Sequence, residues 1–351
     1  MRRQTNRLWG ASLLSGWLAI SCIVLAGSGP AYARDTAMLN ALQLQQVVDD
    51  AHAKYKDLKE GKNADYIPIL ATIPPELFGV AIALPDGTVY TAGEVDYRFA
   101  IESTSKPFTA ALVMQQCGGP EAIVEKIGVE PTGLPFNSKL AVEVLTARSV
   151  NPMVNAGAMA TVSMVKADSE EQRWKLVHDN LSDFAGETLP LMDEVYDSEY
   201  TTAWGNRGIA NNLYNYERLY ADAEETLRVY TKECSLGVTT KDLAIMGATL
   251  ANGGVNPKTG KRLLDAKHVP ELLAIMLTAG FYDGSGYWSM TAGLPSKTGV
   301  GGGIVSVVPG KMAIAAFSPR LDQYGNSVRA QEAIRYIAGQ LGVGIFGPNG
   351  D

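Results

Sequence analysis

The spacing of hydrophobic residues changes along the chain and predicts different elements in different regions. From Ala37 to Lys59, apolar residues recur at every third or fourth position, which predicts an amphipathic helix. From Leu77 to Gly93 they alternate around Pro85-Asp86-Gly87, which predicts a β-hairpin. A second hairpin is predicted from Gly303–Val308 and Met312–Phe317, joined by a Pro-Gly turn.

Between these two hairpins, from about 116 to 290, helical patterns and loops dominate. Two of the predicted helices run from Ala221 to Thr231 and from Lys241 to Ala251, and a last one runs from Asn326-Ser327 to about Leu341. Strands near both ends with helices between them predict an α+β fold. We expect one antiparallel sheet, built from both hairpins and flanked by the terminal helices, beside a central helical lobe.

The first 33 residues resemble an export signal. Three arginines precede an apolar run from Leu8 to about Gly27, and the small-residue site Ala31-Tyr32-Ala33 follows. We expect cleavage after Ala33 and a periplasmic protein with no stable membrane association. An uncleaved membrane anchor is the alternative, because the run is long enough to span a bilayer.

Residues 34–351 then form a single predicted catalytic domain. Its α/β lobe comprises about 61–115 and 292–351, and its helical lobe comprises about 116–291. The net charge is −7, which becomes about −10 without the signal, so nucleic acid is not an expected partner. The sequence has no CxxC or HExxH motif, so no zinc site is predicted, and whether Cys117 and Cys234 pair stays open.

Two short motifs point to acyl-transfer chemistry. Ser103-Thr-Ser-Lys106 puts a serine and a lysine three positions apart, within reach on one helical face, and Lys297-Thr298-Gly299 follows far along the chain. None of the three histidines lies beside a plausible nucleophile, so lysine is the expected base. A lysine base must be neutral, through burial or through a nearby cation such as Lys297. The glycine run after Lys297 suits an edge strand, with the Val300 amide as an oxyanion donor.

Each motif also has an ordinary structural interpretation. Ser163-Met-Val-Lys166 has the same spacing in an alanine-rich helical stretch, where we expect no catalysis. Ser103 could be a helix cap beside a solvated lysine, and Lys297 could be a surface lysine before a strand. The two motifs together favour the catalytic interpretation.

From about Tyr66 to Val328 the chain resembles the serine-dependent glutaminases, which share their fold with serine β-lactamases and penicillin-binding proteins. Its most specific segment is Asn151-Pro-Met-Val-Asn-Ala-Gly-Ala158. Further matches in the same order are Tyr66-Ile-Pro, Ser198-Glu199, Asn206, Tyr230 with Cys234-Ser235, Leu250-Ala-Asn-Gly-Gly254, Tyr282-Asp283, Gly293-Leu-Pro-Ser-Lys-Thr-Gly-Val300, and Ser318-Pro with Gly325-Asn-Ser327.

The resemblance implies hydrolysis of L-glutamine to L-glutamate and ammonia through a γ-glutamyl-serine intermediate. It makes Ser103 the nucleophile, Lys106 the base and Tyr282 a proton relay, with Lys297, Thr298 and Gly299 supporting them. The implied substrate contacts are Tyr66, Ser103, Asn155, Glu199, Asn206, Tyr230, Tyr282 and Val300. Glu199 suits the α-ammonium of glutamine, and the amides and tyrosines suit its α-carboxylate.

No metal or organic cofactor is implied, and a homo-oligomer, either a dimer or a tetramer, is expected from the resemblance. The alternative is an exported β-lactamase, D,D-peptidase or esterase of the same fold, since Ser149-Val-Asn151 resembles the SxN element of those enzymes. A non-catalytic amino-acid-binding protein is less favoured. Two positions depart from the family pattern: Glu102 stands where many members have Gln, and Gly205 where Arg is usual.

Overall fold

The computed structural model describes residues 41–347. Its strands are β1 (Gly79–Ala83), β2 (Val89–Gly93), β3 (Phe99–Ala100), β4 (Gly237–Val238), β5 (Ser296–Thr298), β6 (Gly303–Val308) and β7 (Met312–Phe317). Its helices are α1 (Ala41–Tyr55), α2 (Pro68–Ala71), α3 (Lys106–Cys117), α4 (Glu121–Lys126), α5 (Lys139–Val144), α6 (Asn155–Met164), α7 (Glu170–Ala185), α8 (Asp193–Thr202), α9 (Trp204–Asn215), α10 (Ala223–Cys234), α11 (Thr240–Ala251), α12 (Val269–Ala279), α13 (Ser285–Thr291) and α14 (Val328–Leu341). Short 3₁₀ turns cover Glu102–Ser105, Ala266–His268 and Tyr282–Gly284.

Both predicted hairpins join in one five-stranded antiparallel sheet, in the order β2-β1-β7-β6-β5. Strand β1 pairs antiparallel with β7, and Ile82 lies opposite Ile314. The first and the second hairpin are therefore joined within one sheet. The predicted α+β architecture is therefore confirmed. Strand β5, which carries Lys297, lies at one edge of the sheet, and its Thr298 amide donates to the Gly280 carbonyl oxygen at 3.3 Å.

Helices cover this sheet from both ends of the sequence and also from its middle. Helices α1 and α14 contact each other and the sheet, as the prediction of flanking terminal helices requires. Helix α11 also packs on β1, β6 and β7, although chain order alone groups it with the central helical lobe. The reason is composition: all but one of its residues are buried, and Gly247 lets the helix approach Val305 and Ala313 closely.

Several of the central helices form a second apolar layer around α6. Every residue of α6 is buried, and α3, α9 and α10 contact it. The two-residue strands β3 and β4 pair beside this layer, and the Ile101 amide donates to the Leu236 carbonyl oxygen at 2.8 Å. The segment before Ser103 is thereby fixed against the end of α10.

Two local expectations differ from the structure. Ser103 lies on the 3₁₀ turn Glu102–Ser105, and α3 begins only at Lys106, with Pro107 in its first turn, where proline is tolerated. Ser327 precedes α14 as predicted, but its hydroxyl donates to the Ser318 carbonyl oxygen at 2.6 Å and does not cap the helix.

The proposed signal lies outside residues 41–347. Within that range, no helix has the length and apolar character needed to span a bilayer. Cys117 and Cys234 are both free thiols, so the possible disulfide between them is not present.

Candidate active site

Ser103 and Lys106 lie together in the protein interior, 5% and 1% exposed. The Lys106 Nζ forms a short hydrogen bond with the Ser103 Oγ and a second one, of 2.9 Å, with the Tyr230 hydroxyl. The serine is therefore not a simple helix cap and the lysine is not solvated, contrary to the ordinary interpretation of this motif. A buried serine bonded to an amine has the arrangement of a nucleophile with its base.

Burial lowers the pKa of Lys106, while the surrounding groups Cys234, Glu233, Glu102 and Glu199 act in the opposite direction. Of the two causes that the sequence left open, burial or a nearby cation such as Lys297, burial is the one that lowers the pKa of Lys106 here. It is the pKa of Lys297 that is held well below its usual value, first by burial and then by Lys106. Desolvation thus favours the neutral amine that a base requires.

Lys297 is fully buried on the edge strand β5, which rules out an ordinary surface lysine. Its Nζ donates to the carbonyl oxygens of Gly280 at 3.1 Å and Thr298 at 2.7 Å, and it lies 4.0 Å from the centre of the Tyr282 ring. Lys297 therefore connects the edge strand β5 with Tyr282, the expected proton relay.

Gly299 brings β5 very close to the nucleophile turn. A Cβ at this position would lie 3.2 Å from the Ser103 amide nitrogen and 3.1 Å from the Ile101 carbonyl oxygen. Such contacts are tighter than side chains normally allow, which explains the glycine of the Lys-Thr-Gly motif. The next residue, Val300, is also buried, with 5% of its surface exposed.

Tyr282 begins a 3₁₀ turn with φ of 57°, in the left-handed region that few non-glycine residues adopt. Its hydroxyl donates to the Thr298 carbonyl oxygen at 3.3 Å, and its ring packs 4.7 Å from that of Phe136. Burial raises the pKa of Tyr282, whereas the Ser103 hydroxyl acts to lower it. The phenol is therefore protonated and lies beside the nucleophile.

A line of side-chain hydrogen bonds leads from Lys106 to the helical lobe. The Tyr230 hydroxyl donates to Asn155 Oδ1 at 3.2 Å, and Asn155 Nδ2 donates to Asn206 Oδ1 at 2.9 Å. These residues come from α10, α6 and α9 respectively. Three residues that lie far apart in sequence, and that the sequence analysis nominated separately, are thus one connected network.

Glu199 lies beside two groups that the sequence analysis did not count as site residues, Glu102 and Cys234. One potential ligand atom from each lies within 4.8 Å of the others, and all three residues are buried. Burial raises the pKa of Glu199 to about 7, although Lys106 lowers it. The spacing of these three side chains is compatible with a bound cation.

Tyr66 lies at the outer end of the site and is 53% exposed. Desolvation by surrounding atoms, followed by the charges of Glu102, Tyr282 and Glu199, raises the pKa of its hydroxyl. It borders a cavity of about 350 Å³ whose wall also includes Phe136 and Gly325. Tyr66 therefore connects the buried catalytic groups with the surface.

The competing motifs have structural roles. Ser163 Oγ donates to the Ala160 carbonyl oxygen at 2.6 Å, while the Lys166 Nζ donates to the Gln116 carbonyl oxygen at 2.7 Å. The Asn151 side chain donates to the Glu130 carbonyl oxygen at 2.8 Å. In neither motif do these contacts involve a catalytic group.

Comparison with known proteins places this geometry in one family. The sequence model described as Glutaminase matches residues 61–346. The chain belongs to the glutaminase family. Glutaminase 1 of Escherichia coli O157:H7 is 52% identical over 88% of this chain and 99% of its own length. The glutaminase of Colwellia psychrerythraea is 51% identical over 86% of this chain and 97% of its own.

Solved structures of glutaminases have the same fold. The probable glutaminase YbaS superposes with a TM-score of 0.86 at 52% identity, covering 88% of this chain and 99% of that one. The probable glutaminase of Bacillus subtilis, in complex with 6-diazo-5-oxo-L-norleucine, gives 0.76 at 30% identity, covering 87% and 97%. The predicted family, β-lactamase-like fold and glutaminase activity are confirmed, and the β-lactamase, D,D-peptidase and esterase alternatives are not supported.

Proposed function

We propose that this enzyme hydrolyses L-glutamine by transferring the γ-glutamyl group to Ser103. Lys106, as a neutral amine, accepts the proton when Ser103 Oγ attacks the side-chain carbonyl carbon. The tetrahedral intermediate then collapses, the C–N bond breaks, and the leaving nitrogen takes the proton held by Lys106 and departs as ammonia. Lys106 next accepts a proton from the water that attacks the ester and returns it to the Ser103 oxygen as glutamate is released.

The oxyanion of the tetrahedral intermediate would be held by the backbone amides of Ser103 and Val300. The close approach of Gly299 to the Ser103 amide supports this pairing, since it brings the end of β5 against the nucleophile turn. Amides fixed in a buried site need little reorganisation as negative charge develops on the carbonyl oxygen.

Glu199 and the amide network supply the proposed contacts with the amino-acid end of glutamine. The Glu199 carboxylate pairs with the α-ammonium. The α-carboxylate accepts hydrogen bonds from Asn155, Asn206 and the hydroxyl of Tyr66 or Tyr230. These partners favour a free amino acid, because a peptide would leave buried polar groups unpaired.

Tyr282 is the proposed relay of a proton to the departing ammonia. The interaction of its hydroxyl with Ser103 and the raised pKa of the phenol support this role, because the group keeps a proton to donate. Lys297 is a positioning residue, since its Nζ lies against the Tyr282 ring and binds the Thr298 carbonyl oxygen that also accepts from Tyr282.

The observation that carries the proposal is the bond of Lys106 to both Ser103 and the Tyr230–Asn155–Asn206 network. Covalent labelling with 6-diazo-5-oxo-L-norleucine tests it, because this glutamine analogue offers an electrophilic carbon at the position of the γ-amide. We expect mass spectrometry to find one label per chain, on the peptide that contains Ser103.

The matched control uses the second serine of the same spacing. Ser163→Ala should be labelled as fast as the wild type, and Ser103→Ala should not be labelled. A label on another residue, or equal labelling of Ser103→Ala, would refute the assignment of the nucleophile.

We also propose that the chain is exported to the periplasm, with cleavage after Ala33. The arginines, the apolar run and the Ala31-Tyr32-Ala33 site support export. Amino-terminal sequencing of the protein from the periplasmic fraction should begin at Arg34. An intact amino terminus in the membrane fraction would support the anchored alternative.

A homo-oligomer is proposed on the family resemblance alone. Light scattering of the purified chain should give the mass of a dimer or a tetramer, and the mass of a single chain at micromolar concentration would contradict this.

A further inference from the structure

Glu102 and Glu199 are two acids buried side by side in the active site. They are 2% and 7% exposed, and their carboxylates lie within 4.8 Å of each other and of the Cys234 thiol. Glu102 Oε1 and Glu199 Oε2 are both buried without a hydrogen-bond partner among residues 41–347. The mechanism above uses Glu199 and gives Glu102 no role.

The backbone holds Glu102 in this position at a conformational cost. Its φ is 48°, in the left-handed region, and a Cβ at Gly301 would lie 3.2 Å from the Glu102 Cγ. A non-glycine residue in that region costs of the order of 1 kcal/mol and persists only where its surroundings require it. The carboxyl group is thus fixed one residue from the nucleophile.

The charges around the pair do not balance two carboxylates. The titratable groups that act on one or the other acid, or are acted on by them, are Lys106, Cys234, Tyr66, Tyr230 and Tyr282. Lys106 is the one base of this set, and it must be neutral to accept the proton of Ser103. Two adjacent carboxylates without a cation cannot both stay ionised in a protein interior.

We propose that Glu102 and Glu199 hold one proton between them, so that the pair carries a single negative charge and binds the α-ammonium of glutamine. This proposal rests on the assignment of that ammonium to Glu199. Glu102 carries this proton, and Glu199 carries the negative charge. The single negative charge of the pair matches the single positive charge of the ammonium, and it lies where that group is proposed to bind. Binding makes and breaks no covalent bond.

The pKa shifts of the two acids agree with a proton on Glu102. Burial, followed by the charge of Glu199, raises the pKa of Glu102 well above its usual value, and burial raises that of Glu199 to about 7. Glu102 is therefore the more strongly protonated acid. If Glu199 is replaced by a neutral residue, the like charge disappears and Glu102 becomes the acid that ionises.

A double-mutant cycle on KM for L-glutamine at pH 8 tests the shared charge. Glu199→Gln should raise KM only in part, since Glu102 takes over the negative charge. Glu102→Gln should then raise KM at least about tenfold more in the Glu199→Gln background than in the wild-type background, because the doubly substituted receptor is neutral. Because KM is independent of the fraction of folded enzyme, partial unfolding of the double variant would not hide the result.

Equal effects of Glu102→Gln in the two backgrounds would overturn the proposal. Infrared difference spectra between wild type and Glu102→Gln at pH 8 give a second measurement. A carbonyl band of a protonated carboxylic acid in the wild type is expected, and its absence would overturn the shared proton. A wild-type enzyme that does not turn over L-glutamine would instead refute the proposed mechanism. An unchanged KM in Glu199→Gln would refute the assignment of the α-ammonium to Glu199.

Discussion

The sheet layer and the active site are both buried, but they bury different chemistry. Every position of β1, β6 and β7 is buried, and Ala, Val and Ile dominate these strands. The active site buries two lysines and three acids instead, Glu102, Glu199 and Glu233. Several of its polar side-chain atoms have no hydrogen-bond partner within the described residues, among them atoms of Glu102, Glu199 and Thr298.

This difference shows where the molecule gains stability and where it loses it. Burial of apolar surface contributes about 25 cal/mol per Å², whereas each unsatisfied buried polar group costs about 1–3 kcal/mol. The sheet and α11 therefore stabilise a fold in which the active site is under electrostatic strain. Substitutions in the two regions should have opposite effects on stability and on activity.

The largest expected effect is on catalysis. Lys106→Met removes the amine but keeps an unbranched side chain, so kcat for glutamine should fall by on the order of 10³. The melting temperature should stay the same or rise, because a desolvated amine is lost from the interior. Lys166→Met, at the non-catalytic motif, is the control and should retain full turnover. A Lys106→Met enzyme that keeps more than a tenth of its activity would exclude this lysine as the base.

A substitution in the sheet layer should have the reverse effect. Gly247→Ala adds a methyl group 2.6 Å from Val305 Cγ2 and 2.7 Å from Ala313 Cβ, so unfolding free energy should fall by about 1–3 kcal/mol. The change in kcat should be less than twofold. Gly339→Ala is the matched control in helix α14, where a Cβ meets no atom within 4 Å, and it should stabilise by about 0.4–1 kcal/mol. Denaturant titration of both variants measures the difference, and equal stabilities would argue against close packing of α11.

A smaller effect is expected from removing a strained acid. The folded-state pKa of Glu199, about 7, lies above that of the unfolded chain, so this group favours folding at low pH, and that contribution is lost as pH rises through 7. In a Glu102→Gln background, where Glu102 cannot take over the charge, Glu199→Gln should therefore raise the free energy of unfolding by about 1–2 kcal/mol at pH 8 and have little effect at pH 4. Thermal unfolding at the two pH values checks this, and a stabilisation that is the same at both would contradict the electrostatic explanation.

Much of the fold follows from local patterns in the sequence. The hairpins at 77–93 and 303–317 have strong turn signals and clear strand character, and both lie in the sheet as predicted. The position of α11 was not predictable from the order of elements, because packing against the sheet depends on Gly247 meeting residues more than 50 positions away.

The active site was likewise predictable from the sequence only where its contacts are local. The Ser103–Lys106 pair is local, so its spacing alone predicts contact. The neighbours Glu102, Glu199 and Cys234 meet only through the tertiary fold, and the sequence offered a single signal, an acid where many family members have an amide. The cause of the lowered pKa of Lys106 also depends on burial, which a motif does not encode.

The central claim is that Ser103 is the nucleophile of a glutaminase, and ammonia release from L-glutamine tests it most directly. The purified wild-type chain should release one ammonia per glutamate formed. Ser103→Ala should bind glutamine, as calorimetry can verify, but release ammonia at least about 10³-fold more slowly. Turnover by Ser103→Ala within tenfold of the wild-type rate would contradict the account.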